Sequence, residues 1–316
     1  MTFDTYMQNL NPEIKEYFRI ISPIFPRFLI PYIETPTMER LSGISYFCGM
    51  EQGPKEVYNF KYFLSRLDHS ISVALMTWNI TFNKKATLQA LFHDANTPAF
   101  SHVIDYMNGD AVTQETTEIG LLEYLKHDKQ LVNLSNKFGP SLEVISDFKS
   151  NSIIDTKRPR LCADRLDSCF LTNLVWLQTT NLDEIKKLYN DIMIHTNEDK
   201  KLEIGFLDLA SADRVVELQE NINAATHKEE EFEAMSLLGQ IVKRLIDTHI
   251  ITYNILFYLT DNQLMMIIKQ RINKDEYLRT IYEQFMSLKP TGRNTTKPVK
   301  DQIIDPLVLN YRYRTY

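Results

Sequence analysis

Glycine is scarce in this chain, with nine in 316 residues. That scarcity disfavours a Gly-rich phosphate loop and any β fold with many tight turns, since both rely on backbone conformations that glycine adopts most readily. Cysteine is rarer still. Cys48, Cys162 and Cys169 are odd in number and show neither CxxC nor zinc-ribbon spacing. A reducing interior fits them better than a disulfide scaffold. Excess positive charge is also missing: 35 Lys and Arg stand against 41 Asp and Glu, a formal charge of −6. The sequence therefore has no strong nucleic-acid signal, and an anionic ligand would need its own local cluster of Arg and Lys. No run reaches the roughly 18 uninterrupted apolar residues of a membrane span; the best, Ile250 to Leu259, contains Thr, Tyr and Asn. The opening MTFDTYMQNLNPEIKEY carries early acidic and polar residues where a signal peptide has an apolar core. The expectation is a soluble cytoplasmic protein with no membrane partner.

What is present is a foldable, helix-leaning chain. With 44% hydrophobic residues it can bury a sizeable core. Prolines 12, 23, 26 and 31 break helix repeatedly in the first 35 residues. IETPTMERL then sets Thr35 as an N-cap before Pro36, predicting a helix that runs on into SGISYF. Between Lys61 and Ile80 two apolar rows, Leu67-Ile71-Leu75-Trp78 and Val73-Met76-Ile80, predict a strong helix with His69 inside the second row. Lys84 to Asp94 predicts the next helix, ending on Leu91, Phe92, His93 and Asp94, and Pro98 prevents simple continuation. Helix is expected again over Phe100 to Met107, Thr113 to Lys126 and Leu131 to Phe148, and from Pro159 through LCADRLDSCFLTNLVWL. DIMIHTNEDKKLEIGF alternates around a polar turn and predicts a β-hairpin, and IIDPLVL near the C-terminus predicts a short strand. The KEEEFE run predicts a solvated helix face. The basic segment 289–300 is open to two readings, an arm over a neighbour or ligand and an ordinary surface tail.

Among these elements a few polar residues stand in core-like places. HDANTPAFSH, residues 93 to 102, puts a histidine and an aspartate side by side at the end of an apolar run. Alone, the pair fits either a metal site or a helix C-terminus with a dipole-friendly histidine. His69 among apolar neighbours is a core residue or a ligand, and Arg66 lies one turn before it. Asp164 sits between Ala163 and Leu166, an odd place for a purely solvated charge, and neighbours Asp167 on one helix face.

Taken together, IETPTMERL, SRLDHSISVAL, LFHDANTPAFSH, ADRLD and IIDPLV follow one another in an order that resembles the HD-domain metal-dependent phosphohydrolase superfamily, in particular its deoxynucleoside triphosphate triphosphohydrolase branch. The resemblance covers roughly residues 30–310. It implies a mainly α fold, an HD-domain helical bundle with the small hairpin and C-terminal strand added. It also implies a single body over 1–316, with a metal-site core about 35–180 and a helical C-terminal portion about 181–316. By the same resemblance His69, His93, Asp94 and Asp164 would hold one divalent metal: manganese, iron, zinc, nickel or magnesium. Arg66 and Arg165 would hold phosphate, Arg165 having the alternative of pairing with Asp164 or Asp167.

Two family histidines appear here as Thr97 and Gln114, which places those residues in the substrate site and leaves proton transfer to be supplied by His102, Asp105, Glu115 or Glu118. Tyr46, Ser168 and Thr172 occupy positions of the family's sugar-reading polar residue and of an aromatic and an acid beyond the last ligand. The expected activity is hydrolysis of a phosphate ester or anhydride, in a nucleotide or related phosphorylated small molecule, with Asp94 among the catalytic groups. The alternative is a catalytically attenuated nucleotide-binding sensor or regulatory protein. Self-association into a homo-oligomer is expected by similarity.

Overall fold

The computed structural model describes residues 1–114, 120–309 and 311–315. Sixteen α-helices are found among them, with one small sheet, so the chain is mainly α as expected. A connected apolar core runs from Tyr6 to Val308.

The helix Arg66–Thr81 is the central element. Every residue from Arg66 to Thr77 is buried, so it has no solvated face and is enclosed by its neighbours. It packs against the helices Pro12–Ile21, Pro36–Leu41, Lys84–Phe92 and Ala163–Val175. Its start is set by a reciprocal cap: Ser65 accepts from the Asp68 amide, and the Asp68 carboxylate accepts from the Ser65 amide. Asp68 also accepts a 2.7 Å bond from the Tyr6 hydroxyl, which ties the N-terminal helix Phe3–Asn9 to this start. Ser65→Ala should lower unfolding stability by about 1 kcal/mol in urea titration. An unchanged midpoint would mean that this cap does not hold the helix start.

The boundaries differ from the sequence reading at several places. The helix after Thr35 ends at Leu41 instead of running into SGISYF, because Ser45 pairs with Ser65 in a bridge and its amide is taken by Asp261. The central helix begins at Arg66, not Lys61, where the Ser65 cap forms. The helix that carries Asp164 begins at Ala163, with Cys162 extended before it and the Ala163 amide donating to Ile153 O at 2.7 Å. Helix over Thr113 to Lys126 is found as Leu121–Lys126, while 115–119 lie outside the described residues.

The hairpin is present as β1 (Ile192–Thr196) and β2 (Leu202–Phe206), paired antiparallel. The C-terminal segment adds β3 (Leu307–Val308), parallel to β2, and β4 (Tyr311–Arg312), antiparallel to β3. Gly205 permits this: a Cβ there would sit 2.3 Å from the Leu307 carbonyl oxygen. Buried Glu203 on β2 receives Arg312 from β4, at 2.5 and 2.9 Å, which anchors the chain's last strand to the hairpin. Among the described residues, no helix is long and apolar enough to cross a membrane.

Candidate metal centre and cavity

Polar side chains converge where the helices Arg66–Thr81, Lys84–Phe92 and Ala163–Val175 approach one another. His69, 1% exposed, sits in the first turn of the central helix. Its Nε2 lies 3.0 Å from Asp164 Oδ1 and its Nδ1 lies 2.7 Å from Asp167 Oδ2. His93 ends the second helix, and its Nδ1 is 2.7 Å from the Ala90 carbonyl. A carbonyl only accepts, so Nδ1 carries the proton and the lone pair of the neutral ring is on Nε2. That Nε2 is buried and has no hydrogen-bond partner among the described residues. It lies 3.5 Å from Asp164 Oδ1 and 3.9 Å from Asp94 Oδ1.

His69, His93 and Asp94 each offer a ligand atom, all within 4.8 Å of one another. Asp164 faces both imidazoles, although that three-residue cluster does not include it. An orphaned, buried imidazole nitrogen beside a second imidazole and two carboxylates is a donor set that fits a divalent ion.

The electrostatics point the same way. Burial opposes charge on His69, but hydrogen bonds from Asp164 and Asp167 outweigh it and push the imidazole up to about 10. His93 is raised despite burial, through Asp94 and Asp164. Burial would raise Asp94, yet Arg66, His93 and His69 hold it well below the usual carboxylate range. Asp164 is likewise lowered against burial by both histidines. The protein's own protons thus balance the carboxylates, and a divalent cation would take the place of that positive charge.

A shell of bonds holds these groups still. Asp167 is fully buried and accepts from Tyr17 OH at 2.5 Å and from Ser72 OH at 2.6 Å, besides facing His69. This carboxylate on the far imidazole nitrogen sets the ring's tautomer and direction. Arg66 Nη1 donates to Asp94 at 2.6 Å, and its Nε donates to Ser101 at 3.0 Å. The loop after Asp94 is pinned by Arg40, whose Nη2 donates to the carbonyls of Ala95 and Thr97 at 3.1 and 2.8 Å. Asp261 fixes its far end by accepting from the Phe100 and Ser45 amides, both at 2.8 Å. Phe100 and Ser101 take left-handed backbone, φ 61° and 49°, which turns the chain back towards His102.

The cluster opens into a cavity of about 810 Å³. Beyond His93 lies Phe148, its ring centroid 6.0 Å away, followed by Lys149; Lys157, Arg158, Lys201 and Lys300 line the cavity as well. Arg158 Nη1 is buried without a hydrogen-bond partner among the described residues. Burial lowers the Arg158 pKa, and neighbouring Arg165 adds to the effect. In the other direction the Tyr46 ring lies 4.9 Å from His69 and 5.2 Å from Phe47, and Phe60 stacks on Phe47 at 4.5 Å. The Tyr46 hydroxyl donates to Ser168 at 2.7 Å, and Thr172 also lines the wall.

The expected site residues divide. His69, His93, Asp94, Asp164, Arg66, His102 and Gln114 all line this cavity. Thr97 does not. It is fully buried outside the lining, where its backbone oxygen serves Arg40, because the Asn-Thr-Pro turn points it inward. Asp105 is also fully buried outside the lining and sits 2.9 Å from His102 Nδ1, so it orients that ring from behind and cannot meet a ligand. Arg165 lines the cavity, but its guanidinium bonds the Arg160 and Thr156 carbonyls and Asp155, at 3.2 Å for the last. It is thereby committed to the 155–160 loop, and it pairs with neither Asp164 nor Asp167. Gln114 donates to the Ala111 carbonyl at 3.3 Å. Glu115 and Glu118 lie outside the described residues.

The KEEEFE run is not a solvated face: Glu230 is buried against Thr291, and Glu231 lines the cavity. Lys300 and Gln302 bring the C-terminal segment to the cavity as well. Asp167, Arg158 and Glu231 carry no spacing signature in the sequence; only the Asp164-Asp167 interval hinted at the first.

No family model matches the chain. It is 26% identical over 136 residues to the uncharacterized protein YdhJ of Bacillus subtilis, across 43% of this chain and 40% of that protein. It is 26% identical over 139 residues to the metal-dependent phosphohydrolase cns2 of Cordyceps militaris, across 44% of this chain and 38% of that one. Each match spans about two fifths of the curated relative's length. Among solved structures, a phosphohydrolase from Bacteroides thetaiotaomicron superposes with a TM-score of 0.56 at 16% identity, over 83% of this chain and 74% of the other. The chain has that phosphohydrolase's fold. A hypothetical protein from Aquifex aeolicus also shares it, with a TM-score of 0.52 at 16% identity over 80% of this chain and 69% of the other.

Proposed function

We propose that the protein is an HD-type, metal-dependent phosphohydrolase acting on a nucleotide or related phosphate ester or anhydride. The observation that carries this reading is His93 Nε2, buried with no hydrogen-bond partner among the described residues and turned towards Asp164, Asp94 and His69. Leaving that nitrogen unsatisfied costs free energy that a ligated cation would recover. The matches to a metal-dependent phosphohydrolase and to the fold of another support the same reading.

In this reading His69, His93, Asp94 and Asp164 hold the ion. When bound, it would lower the pKa of a coordinated water and offset charge on a phosphoryl group. Arg66 keeps Asp94 ionised and in place, and Arg158 and the lysines of the basic wall attract and orient phosphate oxygens. His102, part-exposed and oriented by Asp105, is the imidazole placed to move a proton at a leaving oxygen. Water exclusion falls to the aromatic wall from Tyr46 to Phe60. The test joins metal analysis of natively purified protein to a nucleotide panel supplied with manganese. Phosphate or triphosphate release is expected, and metal-loaded protein without turnover on any nucleotide would overturn the reading.

A second reading is a nucleotide sensor with attenuated catalysis. It is favoured by Thr97 facing away from the cavity and by Gln114, which cannot titrate. A nucleotide-induced rise in melting temperature without turnover would select it.

A further inference from the structure

The acidic run at the start of the helix Glu229–Asp247 is split three ways. Glu229 pairs with Arg293 at 2.7 Å on the surface, and Glu230 accepts from the Thr291 hydroxyl at 2.8 Å. Glu231 instead turns into the cavity, where its Oε2 accepts a 2.6 Å hydrogen bond from Tyr58 OH. An unbroken series of rings leads there from the metal centre. Tyr46 lies against His69, Phe47 against Tyr46, Phe60 on Phe47, and Tyr58 is stacked with Phe60 at 5.9 Å and 12°. Trp176 flanks the same rings, 5.9 Å from Phe60. The cavity lining thus has a basic wall, Lys149, Lys157, Arg158, Lys201 and Lys300 beside Asp155 and Asp199, and an aromatic wall that ends on a carboxyl group.

The chemistry of the two walls differs, and so does what each can hold. The lysines and Arg158 suit anionic oxygens. The aromatic wall suits a flat ring, which stacks favourably on aromatic side chains whatever the base. A carboxylate on such a wall accepts hydrogen bonds and donates none, so it selects a ring edge carrying N–H groups. A carbonyl or bare ring nitrogen in that place would meet it lone pair to lone pair.

We propose that Glu231, held by Tyr58, is a specificity-determining residue that accepts hydrogen bonds from the N–H edge of a nucleobase, of which guanine, with adjacent N–H donors, is the best match. The proposal rests on reading the cavity as a nucleotide site. It assigns the base to the aromatic wall and the phosphates to the basic one. Burial pushes the Glu231 carboxyl up to about 7, against the Tyr58 hydrogen bond, and donors from a bound base would favour its ionised form.

The test uses nucleosides, which have no phosphate, so it is independent of whether the protein hydrolyses anything. Guanosine and purine riboside, which lacks N–H groups on its ring edge, are titrated into the full chain by calorimetry. Guanosine should bind the wild type about tenfold or more tightly than purine riboside, the worth of a hydrogen bond to a charged group. Glu231→Ala should remove that preference, and Glu231→Gln, close in shape, should reduce it if the alanine variant fails to fold. Equal binding of the two nucleosides by wild type, no guanosine binding, or a preference unchanged in a folded Glu231 variant would overturn the assignment. A failed phosphohydrolase reading shows itself separately, as metal-loaded protein without turnover.

Discussion

Asp94→Ala should abolish metal-dependent turnover and strip the protein of its ion. Asp94 is the carboxylate of the cluster within 4.8 Å of both histidine ligand atoms, and Arg66, His93 and His69 keep it ionised. A site left with His69, His93 and Asp164 loses a charged ligand and the geometry that depends on it. If the ion supplies several kcal/mol of transition-state stabilisation, kcat should fall by at least about 10³-fold. The change has a structural side too. Arg66 is 5% exposed and donates to Asp94 at 2.6 Å, so removing the carboxylate strands a buried guanidinium, a loss that costs about 3–5 kcal/mol in comparable pairs. Asp94→Asn, which retains an acceptor for Arg66, should be the more stable of the two and still inactive. Elemental analysis, far-UV circular dichroism and turnover are measured on both. A folded Asp94 variant with wild-type metal content and rate would remove Asp94 from the centre.

The second large effect is expected at Asp167, which touches no ligand. Asp167→Asn should weaken metal binding by roughly 10–100-fold and lower stability by about 3 kcal/mol. The reason lies in its three partners. Tyr17 OH and Ser72 OH donate to it, and His69 must donate from Nδ1 if Nε2 is to serve a cation. An asparagine offers one acceptor and turns an N–H₂ group on a neighbour that also donates. The misfit falls at a fully buried position. Urea unfolding and metal titration check the two effects, and wild-type values for both would show that His69 is oriented by something other than Asp167.

Much of the fold could be read in the chain. The apolar rows around His69 and the alternation through DIMIHTNEDKKLEIGF correspond to the helix Arg66–Thr81 and to a hairpin at β1 and β2. These are local signals, because periodicity and capping depend on residues within a few positions of one another. Helix ends were less legible. The helix after Thr35 stops at Leu41 where the Ser45 amide is taken by Asp261, 216 positions away.

The HD stretch shows the same division inside ten residues. Its helix and its stop follow from the apolar run before His93 and from Pro98, whereas His93 and Asp94 read as candidate ligands only beside His69 and Asp164. That Thr97 faces inward and Asp105 stands behind His102 follows from Arg40, Asp261 and the left-handed turn at Phe100, which come from elsewhere in the chain or from backbone geometry. Arg165 and Arg158 make the sharpest contrast. Both are arginines near Asp164 in sequence, yet one is spent on its own loop and the other has a buried Nη1 without a hydrogen-bond partner among the described residues. Glu231 reads as one acid among several in KEEEFE until Tyr58, 173 positions away, meets it. Composition and periodicity decide which segments are helix and which residue types are available. Which donor is already satisfied, and which still needs a ligand, is decided by distant segments competing for the same polar atoms, and that competition exists only once the chain has folded.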